Sequence, residues 1–203
     1  MAGLSIIAIG HVHAESVLAL TKVFAPVEQL VLDVHPRAEL LQHRAELHRA
    51  IDAASNDWIV IVREREEVSD ALAREIGFAA VDNARAWGYR IRTLPLYAGA
   101  PLRLGDTSGE LRLFHRRHFL RRGDLNVQGT VIRLQESLRA VTFATAEEHR
   151  DYLKTNGVPR SRVGHALLFL RNAVGSRTTD RNTLRYLWIE AGYRAVEAPA
   201  DPR

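Results

Sequence analysis

Apolar and polar positions change rhythm about halfway along this chain. In the first half, continuous apolar runs alternate with stretches of helical period. Residues 4–9 (Leu-Ser-Ile-Ile-Ala-Ile) end at Gly10 and predict a buried strand. Residues 16–24 place Val17, Leu20 and Phe24 at helical spacing, and Pro26 stops that helix. Residues 29–34 predict a second strand with Asp33 at its end. Residues 37–55 then predict a helix with Leu40, Leu47, Ile51 and Ala54 on one face. A third strand follows at residues 58–62 (Trp-Ile-Val-Ile-Val), and a helix from near Ser69 turns Leu72, Ile76 and Ala80 inward. Strand and helix alternating three times predict a parallel half-sheet covered on both faces.

From residue 89 the rhythm becomes alternating. Residues 89–97, 110–115, 130–134 and 139–144 predict antiparallel strands that complete a mixed sheet. Thr145-Ala-Glu-Glu148 is a capping box opening a helix through Thr155, and residues 163–174 and 183–196 predict two more helices. The expected architecture is one α/β core over residues 1–145, with a helical extension, residues 146–203, packed on it.

Composition narrows the class. A chain of 203 residues with 46% hydrophobic and 26% charged content has enough apolar surface for one sizeable core. All but two of the 28 basic residues are arginine, Lys22 and Lys154 being the exceptions, and the net charge is only +4. That balance does not by itself point to nucleic acid, and no nucleic-acid module is recognisable. With no cysteine, disulfides, thiolate catalysis and zinc–thiolate sites are excluded. The first ten residues lack a basic leader region, and no apolar run approaches the ~20 residues of a membrane span. The expectation is a soluble, cytoplasmic chain without a transmembrane segment.

The densest chemistry lies at residues 57–69, Asp-Trp-Ile-Val-Ile-Val-Arg-Glu-Arg-Glu-Glu-Val-Ser, where a buried strand runs straight into charge. Ligands of parallel α/β sheets bind at the carboxyl ends of the strands, which puts Arg63–Glu67 at the expected site. This segment resembles inverting glycosyltransferases of the family-2 type with the GT-A fold. Their corresponding strand reads roughly Asp-Trp, three or four apolar residues, then Asp-Ala-Asp-Glu, with an Asp-x-Asp holding a divalent metal on the sugar-nucleotide diphosphate. The register matches from Asp57 and Trp58 through Glu66, Val68 and Ser69, but Arg63 and Arg65 replace the two aspartates.

Further segments follow in the family's order. Residues 4–15 resemble the first strand and helix entry. Val31-Leu32-Asp33 is similar to the second strand, whose aspartate contacts the nucleotide. Glu110-Leu-Arg-Leu-Phe-His-Arg-Arg117 is similar to a segment of relatives of the bacterial lipopolysaccharide-core β-glucosyltransferases, and Phe169-Leu-Arg171 and residues 175–183 to their C-terminal helices. Two departures stand out. One helix replaces the extra strand and loop between Asp33 and Trp58, and Asn126-Val-Gln-Gly129 stands where Val-His-Glu, with its candidate base, is expected.

The resemblance implies a nucleotide-sugar donor or another anionic small molecule. Arg63 and Arg65 would hold the diphosphate in place of a divalent metal, Asp33 the nucleoside, and Glu66 or Glu110 the acceptor hydroxyl. The loss of both metal aspartates and of the His-Glu position points to the alternative, a catalytically inactive relative serving as a binding or scaffold subunit with a protein partner.

Each residue also has a plainer reading. Strand alternation puts Arg63 and Arg65 on one face and Glu64 and Glu66 on the other, and an ion-pair ladder explains such a charge run more often than a ligand does. Glu66 suits the amino end of the helix starting near Ser69 as well as it suits a base. Asp33 suits a turn as well as a ribose. His11 and His13 could ligate a metal with Glu15 or Asp33, although loop histidine pairs are more often unliganded. His115, His118 and His149, with Arg116, Arg117, Arg121 and Arg122, could grip an anionic acceptor or membrane headgroups, or simply form a charged strand edge. Nucleophile-elbow, P-loop, dinucleotide and metalloprotease motifs are absent from the sequence.

Overall fold

Apolar runs in the first and third strands build the core of the sheet. In the computed structural model, which describes residues 2–32, 43–82, 86–102, 108–122, 125–159, 162–176 and 180–195, strand β1 (Leu4–Ile9) is buried at every position. Helix α1 (Ala14–Thr21), strand β2 (Val27–Leu32), helix α2 (Arg44–Ala53) and strand β3 (Trp58–Arg63) follow. Both β2 and β3 pair with β1 in parallel, Ile6 lying opposite Gln29 on one side and Val60 on the other. Leu4, Ile6, Val60 and Val62 pack with Leu20 of α1 and with Leu72 and Ile76, while Ile7, Ile9, Ile59 and Ile61 pack with Leu47 and Ile51 of α2. Each such aliphatic side chain, fully buried, contributes about 1.5–3 kcal/mol. Asp33 and Leu40, and the start of the helix expected from residue 37, lie outside the described residues.

The chain then departs from the expected plan. A two-residue turn at Glu64–Arg65 leads into a short strand β4 (Glu66–Glu67), and helix α3 (Asp70–Gly77) continues as a π-helical turn, Phe78–Asp82. The Ser69 hydroxyl caps α3 by accepting from the Leu72 N–H at 3.2 Å. The cap is therefore Ser69 rather than Glu66. Strands β5 (Gly88–Tyr97), β6 (Ala100–Pro101), β7 (Glu110–His115), β8 (Phe119–Leu120), β9 (Asn126–Val127) and β10 (Val131–Phe143) complete the β structure of this part.

The main sheet has the order β2-β1-β3-β7-β5-β10-β4, with β6 on β5. β7 runs antiparallel to β3 and to β5, and β4 antiparallel to β10. Only two residues link β3, inside the sheet, to β4 at its end, so the sheet curls. The result is an α/β fold with a curled mixed sheet, parallel in its first three strands. One strand, β10, replaces the two expected at 130–134 and 139–144. The polar interval Gln135-Glu136-Ser137 reads as a break, but Leu134 and Leu138 are an even number of residues apart and both are buried in one cluster.

The chain divides into two compact units, one of Met1–Leu94 with Asp106–Ala140, the other of Pro95–Gly105 with Val141–Arg203. In the second unit, helices α4 (Ala146–Asn156), α5 (Arg162–Ser176) and α6 (Arg181–Ala191) accompany a two-stranded ribbon of β11 (Gly157–Pro159) and β12 (Tyr193–Ala195). The capping box forms at α4: Thr145 accepts from the Glu148 N–H at 3.0 Å, and Glu148 accepts from the Ala144 N–H at 2.7 Å. The helix expected over 183–196 ends at Ala191, because the following residues pair as β12.

Candidate anion-binding site

The carboxyl end of β3 meets the amino end of β7, and four charged side chains collect there. Arg63 ends β3. Its backbone N–H donates to Glu66 Oε2 at 2.8 Å, and its guanidinium donates to Glu110 Oε2 at 3.3 Å. Arg112 of β7 is 1% exposed and grips Glu66 with two bonds, Nη2 to Oε1 at 2.9 Å and Nη1 to Oε2 at 3.3 Å. Arg112 Nη2 also lies 3.1 Å from Glu110 Oε2. Two guanidinium groups and two carboxylates thus alternate in one cluster.

A β-bulge explains why Arg112 points there. Tyr89 of β5 pairs with Leu113 and Arg90 with Leu111, so Arg112 is the extra residue on β7. Strict alternation would set Leu111 on the face of Leu113. Instead it packs with Phe114 in the other core cluster, as a bulge requires. Sequence reasoning gave Arg112 no role. The available signal was an arginine between Leu111 and Leu113 in an apolar strand, since a charge buried there needs a paired partner.

The strand-end alternation expected for residues 63–66 does not hold. β3 stops at Arg63, and Arg65 has a φ of +64°, left-handed backbone that takes it out of the strand pattern. Arg63 and Glu66 are consequently joined, and Arg65 is exposed in the turn. The Glu64 N–H donates to Ile9 O at 2.7 Å, and Gly10, with a φ of +75°, donates to Leu32 O at 3.4 Å. These bonds knit the carboxyl ends of all three parallel strands beside the arginine cluster.

Charge within the cluster balances, but its hydrogen bonds do not. The Nε atoms of Arg63 and Arg112 are buried and meet no protein acceptor among the described residues. A buried donor left unmade costs about 1–3 kcal/mol, and Asn56 Nδ2, Arg92 Nε and His115 Nδ1 are in the same position. Burial pushes the Arg63 guanidinium below the usual arginine range, the neighbouring Arg112 charge adds to this, and Glu110 and Glu66 oppose it. It remains protonated at neutral pH. Guanidinium groups have no lone pair to offer a cation, so Arg63 and Arg112 cannot themselves ligate a metal.

Other predicted residues fall elsewhere. Asp33 lies outside the described residues. His11 and His13 are exposed. Arg121 pairs with Asp52, and Arg116 and Arg117 with Asp57, so these arginines engage carboxylates on the surface. His118 stacks on Trp87 with ring centroids 4.0 Å apart, and His115 sits edge-on to Trp58 and Trp87. Burial pushes the His115 imidazole below its usual range. Asp57 opposes that shift, while His118, Arg117 and Arg116 add to it. His149 belongs to the second unit, where it is fully buried against Phe143 and Tyr186 and bonded to Tyr97 Oη at 3.3 Å and Glu190 Oε1 at 3.0 Å. It is a core residue there, not part of a charged edge.

No protein-family model matches the chain, and no curated protein matches it.

Proposed function

We propose that this is a glycosyltransferase-like protein of GT-A type that binds an anionic, nucleotide-sugar-like ligand at the carboxyl end of β3, with arginine in place of a metal ion. The observation that carries this reading is the Arg63 guanidinium, which ends β3 with its side chain 24% exposed, so an anion can reach it there. A phosphate supplies oxygens of the right charge and geometry for the Arg63 guanidinium, while the buried Arg112 holds Glu66 and through it the Arg63 backbone. The parallel β2-β1-β3 order, with Gly10 at the end of β1, supports a ligand at this end of the sheet.

Binding without transfer is the better-supported chemistry. Glu66 sits where a catalytic carboxylate was expected, but both its oxygens accept from Arg112 and one also from the Arg63 N–H. Three of its roughly four acceptor sites are engaged within the fold. One observation favours an active transferase instead: Glu110 is half exposed, and both its contacts among the described residues use Oε2, which leaves Oε1 open to an acceptor hydroxyl.

Thermal unfolding against a panel of nucleotide sugars, with and without manganese, tests the proposal. A ligand at 100 times its Kd stabilises by about 2.7 kcal/mol, several degrees for a chain of this size. The expected result is a shift by at least one nucleotide sugar that manganese does not enlarge. If nothing in the panel shifts the midpoint at millimolar concentration, the reading is wrong. Release of nucleoside diphosphate from the stabilising donor separates the two chemistries: none is expected for a binding protein, and Glu110→Gln should abolish any that is seen.

A further inference from the structure

We infer that the α5–α6 face of the second unit docks on an anionic lipid surface. On α5, Leu167, Leu170 and Val174 are 64, 57 and 75% exposed. They recur at i, i+3 and i+7, so one outer stripe of this 15-residue helix is aliphatic, with the exposed Arg171 set among them. On α6, Arg181, Arg185 and Trp188 recur at i, i+4 and i+7 and are also exposed. Trp188 is 49% exposed even though it packs on Phe169 and His165 of α5, with ring centroids at 5.1 and 4.1 Å. A half-exposed tryptophan at the seam of two helices, aliphatic side chains and arginines together form the residue set of an interfacial helix pair.

Charge selects the occupant. Residues 152–179 contain Lys154, Arg160, Arg162, Arg171 and Arg177 and no aspartate or glutamate. Their formal sum is +5 in the sequence; Lys154 pairs with Asp151, and the exposed guanidinium groups of the described helices are those of Arg171, Arg181 and Arg185. Two copies of the face brought together would set arginine against arginine, which disfavours self-association. A bilayer surface carrying anionic headgroups is complementary, because the aliphatic stripe enters the acyl boundary while the guanidinium groups meet phosphates. No helix among the described residues is long and apolar enough to cross a membrane, so the contact is peripheral.

Flotation of the full chain with vesicles tests this independently of the nucleotide site. Vesicles of phosphatidylcholine alone are compared with vesicles containing about a third phosphatidylglycerol, at about 0.1 M and 0.5 M salt. The expected result is retention on the anionic vesicles only, weakened at the higher salt. Leu170→Asp/Val174→Asp should lower partitioning at least about tenfold with an unchanged melting temperature, because both side chains are already in water. Arg171→Glu/Arg185→Glu should weaken binding to the anionic vesicles in the same way. Failure to float with either vesicle, or equal flotation of the aliphatic variant, overturns the inference. So does a concentration-dependent dimer that Leu170→Asp/Val174→Asp returns to monomer in the absence of lipid binding, since the occupant would then be a second copy of this chain.

Discussion

Arg112 and Glu66 face each other through two hydrogen bonds, with their side chains only 2% and 5% exposed. The pair ties the bulge of β7 to the segment that leaves β3. It thereby holds the backbone of Arg63, whose N–H shares the same carboxylate.

Breaking this pair from one side should be costly. Arg112→Met strands a buried carboxylate and Glu66→Leu a buried guanidinium, and each is expected to lose about 3–5 kcal/mol in urea unfolding. The double variant removes both charges and should recover most of that loss. A double variant as unstable as the sum of the singles would show that the two residues act independently.

Helix α3 should respond to its cap. Ser69→Ala removes the acceptor of the Leu72 N–H and is expected to cost about 1 kcal/mol, whereas Ser69→Asp should keep most of the stability. Equal losses in the two variants would mean that the hydroxyl bond does not hold the helix start.

Acidification should weaken the first unit through His115. Burial lowers its folded-state pKa, so below about pH 6.5 the unfolded chain takes up a proton that the folded chain refuses. The contribution of neutral His115 is present above that pH and declines as pH falls through it. The unfolding free energy should therefore drop between pH 7.5 and 5.5, and His115→Gln should flatten that slope even if it lowers stability overall. An unchanged slope would remove His115 from the account.

What the residues reveal about this fold depends on how far alternation persists. β1 and β3 are legible because both faces are covered, so Leu4–Ile9 and Trp58–Val62 read as unbroken apolar runs. β10 was divided at Gln135-Glu136-Ser137, where composition outweighed the even spacing of Leu134 and Leu138. At the site, the position of Arg63 was legible from the strand end, but its partners were not. The left-handed Arg65 and the bulge at Arg112 each shift the alternation by one residue, and neither carries a glycine to announce it. The roles of Glu66 and Arg112 follow from those two shifts.

The central claim is that guanidinium groups, with no metal ion, hold an anion at the end of β3. Calorimetric titration of the most stabilising nucleotide sugar, in chelator, against the wild type, Arg63→Lys and Arg63→Ala tests it most directly. The account predicts full binding without metal, at least about tenfold weaker binding for Arg63→Lys, whose ammonium cannot form the fork, and loss of binding for Arg63→Ala. Binding that appears only when manganese is added, or that is equal in all three proteins, would contradict it.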